Sequence, residues 1–201
     1  MTHVLYYAPQ VCSFGPHVAL RELGIPFDLV RVDLRTHTTA GGEPLSNINR
    51  KDYVPALVLP DGALLTEVSA ILLYLADLHP DAKLAPSSGL ARVRFHELLN
   101  FIATEFHKAF SVFTIMANPS EDSRAWAKAR LGRRTDVLDN LLGDRPFFAG
   151  DTPTVADFYA YWALTTYVRL TRAELPARLR DFVERVAVRP SVVAAHAAEK
   201  A

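Results

Sequence analysis

Val4-Leu5-Tyr6-Tyr7-Ala8-Pro9-Gln10-Val11-Cys12-Ser13-Phe14 decides how this chain is read, because an apolar strand runs in it straight into a helix. Val4 to Tyr7 is a short apolar run, and Pro9 breaks it, since proline has no N–H to give to a strand ladder. From Phe14 onward, Val18, Leu20 and Leu23 recur at roughly helical spacing as far as Gly24. Cys12, the one cysteine of the chain, falls at the handover. Unpaired backbone N–H groups and the positive end of the helix dipole collect at such a point. Both favour the thiolate, the reactive form of cysteine. The competing reading of a lone cysteine is a small buried hydrophobe.

Working outward, Phe27 to Asp33 alternates apolar and polar residues as a half-buried strand does. Strand, helix and strand within about thirty residues make a βαβ unit, for which a right-handed crossover is expected. Thr36 to Asn49 is polar, with Gly41, Gly42 and Pro44, and reads as a loop holding at most a short helix. An apolar run resumes from Tyr53 to Leu59. The turn residues Pro60-Asp61-Gly62 then lead into Ala63 to Thr66, a hairpin partner. Val68, Ile71, Leu72, Leu75 and Leu78 mark an amphipathic helix that stops before Pro80.

Residues 81–89 read as a linker, and nothing beyond them alternates like a strand. Helices are expected over 90–118, 120–142, 154–170, 176–188 and 191–199, with Thr154 and Asp157 spaced as a capping box. The expected organisation is an α/β domain over 1–80 and an all-helical domain over 90–201.

Composition narrows the function classes. Lys and Arg number 22 and Asp and Glu also 22, so the formal charge is zero, and no basic run points to nucleic acid. No apolar run approaches the ~20 residues that a membrane span needs. The seven histidines are scattered without metal-ligand spacing, so no metal is expected. One cysteine cannot close an internal disulfide, and Met1-Thr2-His3-Val4 lacks the pattern of a signal peptide; a cytoplasmic protein is expected.

Four short pieces, in this order and on this architecture, resemble one family. Pro9-x-x-Cys12-Ser13 is similar to the nucleophile segment of the bacterial beta-class cytosolic glutathione transferases. Val54-Pro55-Ala56-Leu57 is similar to their glutathione-edge strand. Leu65-Thr66-Glu67 at the start of a helix and Thr154-x-x-Asp157 complete the set. The resemblance covers essentially the whole chain. It implies a thioredoxin-like N-terminal domain, a helical C-terminal domain, glutathione as co-substrate and a homodimer.

Residue roles follow from the same resemblance. Cys12 and His107 are implied as catalytic, and Val54-Pro55 as a cis pair whose edge takes the extended tripeptide. Glu67 would take the ammonium of the γ-glutamyl end, and the helix opening at Val68 its carboxylate. Ser13, His37, Asn100 and Thr104 complete the implied glutathione contacts. Asn100, Thr104, His107 and Lys108 fall on one helical face, a stripe that elsewhere would simply be a solvated one. Phe110, Phe113 and Tyr167 are candidate walls for a hydrophobic electrophile.

Two departures stand out. Val68 replaces the usual Ser or Gly after the glutamate, and Tyr53 replaces a Gln or similar polar residue before the Val-Pro pair. The expected activity is conjugation of glutathione to hydrophobic electrophiles, with one-cysteine thiol–disulfide exchange as a second role. The alternative is a non-catalytic relative that uses the fold for binding or regulation.

Overall fold

In the computed structural model, which describes residues 2–200, β1 (His3–Tyr7) is the middle strand of five. Its alternate residues His3, Leu5 and Tyr7 are buried. β2 (Phe27–Asp33) runs parallel to it, with His3 opposite Phe27 and Tyr7 opposite Arg31. α1 (Phe14–Glu22) supplies the crossover between them. β4 (Ala56–Val58) lies antiparallel on the other side of β1, and β5 (Leu64–Thr66) pairs with β4 as the expected hairpin. β3 (Thr38–Thr39) pairs antiparallel with β2 and closes the order β3-β2-β1-β4-β5.

That last strand sits inside the stretch read as loop, because two threonines carry no alternation to detect. α2 (Leu45–Ile48) is the short helix of the same stretch. The apolar run 53–59 narrows to three paired residues, since Pro55 has no N–H to give to the ladder; the Val54-Pro55 bond is cis. Leu5, Val18, Leu20, Leu57, Ile71, Leu72 and Leu75 are wholly buried, the last three on α3 (Val68–Leu78). At about 1.5–3 kcal/mol for each such side chain, this layer is the main source of stability.

The chain divides into two compact units. One runs through Lys83 and takes in the residues from Arg189 on; the other is Leu84–Val188. The helical domain expected over 90–201 therefore gives up its last helix, α9 (Pro190–Lys200). α9 packs on α1, with Val192 and Ala195 fully buried and the His196 ring 4.4 Å from that of Phe14. Polar groups join the two helices at both ends. Glu22 of α1 pairs with Arg189 and accepts the Ser191 hydroxyl at 2.5 Å, while His17 meets Glu199 at 3.0 Å.

The second unit contains α4 (Gly89–Phe101), α5 (Ser111–Thr114), α6 (Glu121–Leu142), α7 (Val155–Thr171) and α8 (Ala177–Ala187). The single regular helix expected over 90–118 is broken between α4 and α5. Ile102–Phe106 forms a π-helical turn and His107–Phe110 a 3-10 turn. A π-turn adds a residue to the turn and rotates everything after it. Here Glu105 meets Arg130 and Arg134 of α6 at 2.8 and 2.7 Å, and His107 meets Tyr159 of α7. Ile102 and Phe106 stay fully buried.

α7 is buried along most of its length and opens with the expected capping box. The Asp157 carboxylate accepts the Thr154 N–H and hydroxyl, each at 2.7 Å, and the Phe148 N–H at 2.8 Å. The apolar insertion at Phe147 and Phe148 is thereby pinned to the start of the helix.

Candidate active site

Cys12 lies just before Ser13, the residue that caps α1, so it stands at the helix N-terminus as the sequence reading requires. Its side chain is nearly covered, with 8 % exposure, and its S–H donates to the carbonyl oxygen of Val54 at 3.5 Å. Only the protonated thiol can make that contact. Ser13 is wholly buried. Its hydroxyl donates to the Ala8 carbonyl at 3.1 Å and accepts the Ala8 N–H at 3.3 Å, which ties the loop shut behind Cys12. A hydroxyl used in both directions is a fastener of the loop.

A second fastener lies on the other side. Gln10 has a left-handed backbone (φ 62°), and its N–H donates to the Glu199 carboxylate at 3.0 Å. The other oxygen of Glu199 meets Nδ1 of the fully buried His17. Nε2 of His17 is 2.8 Å from the Nε–H of Arg21, a group that can only donate, so Nε2 is the acceptor and the proton resides on Nδ1. His17, whose ring lies 6.1 and 5.6 Å from those of Tyr7 and Phe27, is thus a packed and fully bonded histidine of the helix–sheet interior.

Of the remaining expected residues of this unit, Glu67 and His37 are already engaged by the consecutive residues 51–53. Glu67 has a left-handed backbone (φ 69°) and stands at the N-cap position of α3, its side chain turned to other partners. Its Oε1 accepts the Lys51 ammonium at 2.9 Å and the Tyr53 hydroxyl. Lys51 also donates to the Thr66 hydroxyl at 2.9 Å, and its Nζ is 5.9 Å from the centroid of the Tyr53 ring. The hydrogen bond to Glu67 holds the Lys51 pKa above its ordinary value, and burial followed by the same carboxylate raises that of Tyr53. Val68 is buried as the first residue of α3. His37, also left-handed, meets the Asp52 carboxylate at 2.9 Å.

In the helical unit, Asn100 and Thr104 are exposed, and the Thr104 hydroxyl donates to the Asn100 carbonyl one turn back at 3.0 Å. His107 leaves the exposed stripe. The ring is partly buried, with Nδ1 2.8 Å from the Tyr159 hydroxyl and its face edge-on to Trp162 at 4.6 Å. Phe110 and Tyr167 are buried against Phe106, at 5.5 and 5.9 Å, so both rings serve the core of this unit. Phe113 is half-buried. Among the described residues, no three His, Cys, Asp or Glu side chains gather as a metal site would need.

The glutathione S-transferase N-terminal domain model matches residues 11–78, and the glutathione S-transferase C-terminal domain model matches residues 101–190. The chain belongs to the glutathione S-transferase family. It is 38 % identical to glutathione S-transferase GstA of Escherichia coli O157:H7, over 97 % of this chain and 98 % of that one. A bacterial beta-class transferase from Sphingomonas chungbukensis superposes with a TM-score of 0.90 at 39 % identity, over 98 % of each chain. A sphingomonad glutathione S-transferase solved in complex with glutathione has a TM-score of 0.90 at 40 % identity, again over 98 % of each chain.

Within this transferase framework, sequence reasoning missed three participants. Glu199 carried one signal, as the single acid of the final helix. Tyr159 was hidden in the aromatic run of α7. The bond of Lys51 to Glu67 has no sequence signature, because sixteen residues separate the two.

Proposed function

We propose that this member of the family joins glutathione to hydrophobic electrophiles, with Cys12 as a hydrogen-bond donor to the attacking sulfur. The observation that carries the reading is the Cys12 S–H lying on the Val54 carbonyl, beside the cis Val54-Pro55 bond. An extended peptide pairing with Val54 would bring its own central residue alongside that thiol. The glutathione thiol gives its proton to water, and its thiolate attacks the electrophilic carbon. A C–S bond forms as the leaving group departs with its electron pair. Charge on sulfur is what must be stabilised, and a turned Cys12 S–H supplies a donor to it.

In the same reading, Glu67 takes the γ-glutamyl ammonium, the N-terminus of α3 at Val68 its carboxylate, and His37 the glycyl carboxylate. His107, Asn100 and Thr104 are assigned to the glutathione sulfur and backbone on the family resemblance alone. So are the use of the helical unit for the second substrate, homodimer formation and a cytoplasmic setting. Thiol–disulfide exchange is the second reading, and the nearness of the Cys12 thiol to the same edge favours it. There the Cys12 thiolate attacks the glutathione sulfur of a mixed disulfide between glutathione and another thiol and expels that thiol as its thiolate; a glutathione thiolate then attacks the Cys12–glutathione disulfide, releasing glutathione disulfide and restoring the Cys12 thiolate.

Retention on immobilised glutathione and conjugation of an aryl halide test the first reading. Cys12→Ala is expected to lower kcat/KM for conjugation by roughly ten- to a hundredfold, the worth of one hydrogen bond to a charged group. It is also expected to abolish any glutathione adduct of the protein seen by mass spectrometry. A protein that binds glutathione without turning over either substrate is the binding module, and one that does neither sinks both enzymatic readings.

A further inference from the structure

The carboxylate assigned to the ligand's ammonium already holds an ammonium of the chain itself. Lys51 Nζ is 2.9 Å from the Glu67 carboxylate, 2.9 Å from the Thr66 hydroxyl and 5.9 Å from the centre of the Tyr53 ring. A carboxylate, a hydroxyl and an aromatic face are the three kinds of group that recognise a primary ammonium. Tyr53 also donates its hydroxyl to the same carboxylate oxygen, which aims Glu67 into the cradle. Asp52, between these two residues, meets His37 at 2.9 Å, so the consecutive residues 51–53 engage both of the side chains assigned to the charged ends of glutathione.

We propose that Lys51 is an internal stand-in for the γ-glutamyl ammonium, and that its displacement sets how strongly the site selects a ligand with a free α-amino group. The inference rests on the assignment of Glu67 in the proposed function. Oε1 of Glu67 already takes two donors, the Lys51 ammonium and the Tyr53 hydroxyl, so a second ammonium there meets both a like charge and a filled oxygen, and the ligand's group enters as that of Lys51 leaves. Lys51 is half-exposed on a flexible stem and can swing into water. Tyr53 stays, keeping the carboxylate oriented for either occupant. The cost of displacing Lys51 falls only on ligands that carry the ammonium, which makes Lys51 a determinant of specificity as well as of affinity.

Calorimetric titration with glutathione and with glutaryl-cysteinyl-glycine, which lacks the amino group, tests this in the wild type, Lys51→Met and Glu67→Gln. The readout is the ratio of the two Kd values. The analogue carries one more negative charge than glutathione, so general attraction does not cancel; Arg50→Met, which removes an exposed neighbouring cation, measures that part, and the ratios that follow are compared with its ratio. Lys51→Met is expected to raise the preference for glutathione about two- to five-fold, the span of an exposed ion pair, and Glu67→Gln to reduce it. If Glu67→Gln reduces the preference while Lys51→Met leaves it unchanged or lowers it, the stand-in role is overturned and the Glu67 assignment survives. A preference that does not respond to Glu67→Gln overturns both. Absence of binding by either ligand to the wild type removes the proposed function, and this inference with it.

Discussion

Glu199 shows how one residue near the end of the chain governs the loop around Cys12. Its carboxylate is nearly buried and takes hydrogen bonds from the Gln10 backbone and from His17. Glu199→Ala leaves the buried His17 donor and the part-buried Gln10 N–H without their acceptor, which costs about 2 kcal/mol; a fall in the urea midpoint is the measurement. Glu199→Gln retains one carbonyl acceptor and is expected to lose about half as much. In both variants Gln10 loses part of its anchor, so Cys12 should be alkylated faster by iodoacetamide than in the wild type. Legibility differed between neighbours at this scale. Cys12 could be placed at a helix start from Pro9 and the period of Phe14, Val18 and Leu23, whereas nothing local to Ser13 separates a ligand contact from a fastener of the loop. What distinguishes Ser13 is its pair of bonds to Ala8, and those depend on how the loop closes.

The first turn of α7 is the element whose chemistry can be tested by pH. Asp157 is fully buried, and burial pushes its carboxyl up to about 6, against the hydrogen bonds from Thr154 and Phe148 that favour its charge. The folded protein therefore holds this proton more tightly than the unfolded chain does. The stability it contributes is fully present below about pH 4, declines as the pH rises towards 6 and is level beyond. The span is up to about 3 kcal/mol, from two units at 1.36 kcal/mol each. Asp157→Asn cannot titrate, so the stability of the wild type relative to this variant is expected to be greater at pH 4.5 than at pH 7 in parallel urea denaturations. The capping box could be read from Thr154-x-x-Asp157, since its partners are three residues apart. The break between α4 and α5 could not, because each residue of Ile102–Phe106 is compatible with a regular helix. The turn widens there in concert with contacts to Arg130, Arg134 and Tyr159, which come from helices far along the chain.

At the scale of the whole molecule, the consequential finding is that the chain's last helix belongs with its first unit. A chain ending at Val188 would uncover the face of α1 that meets Val192, Ala195 and His196, and would strand Glu22 and His17. The loss is of the order of 5 kcal/mol, comparable to the whole stability of many domains. Thermal unfolding of the truncated chain is expected to show a much lower Tm, or no cooperative transition. The sequence by itself determined the βαβ-ββα order, the helical remainder, the cysteine at a helix start and the family, because local periodicity, turn residues and short motifs are written within a few positions of one another. The tertiary structure alone decided that α9 returns to α1, that Glu199 secures the loop of Cys12, that His107 turns towards Tyr159 and that Lys51 occupies the carboxylate of Glu67. Each of these joins residues from 16 to 189 positions apart. Such pairings are set by how packed elements meet in space, which no local pattern records.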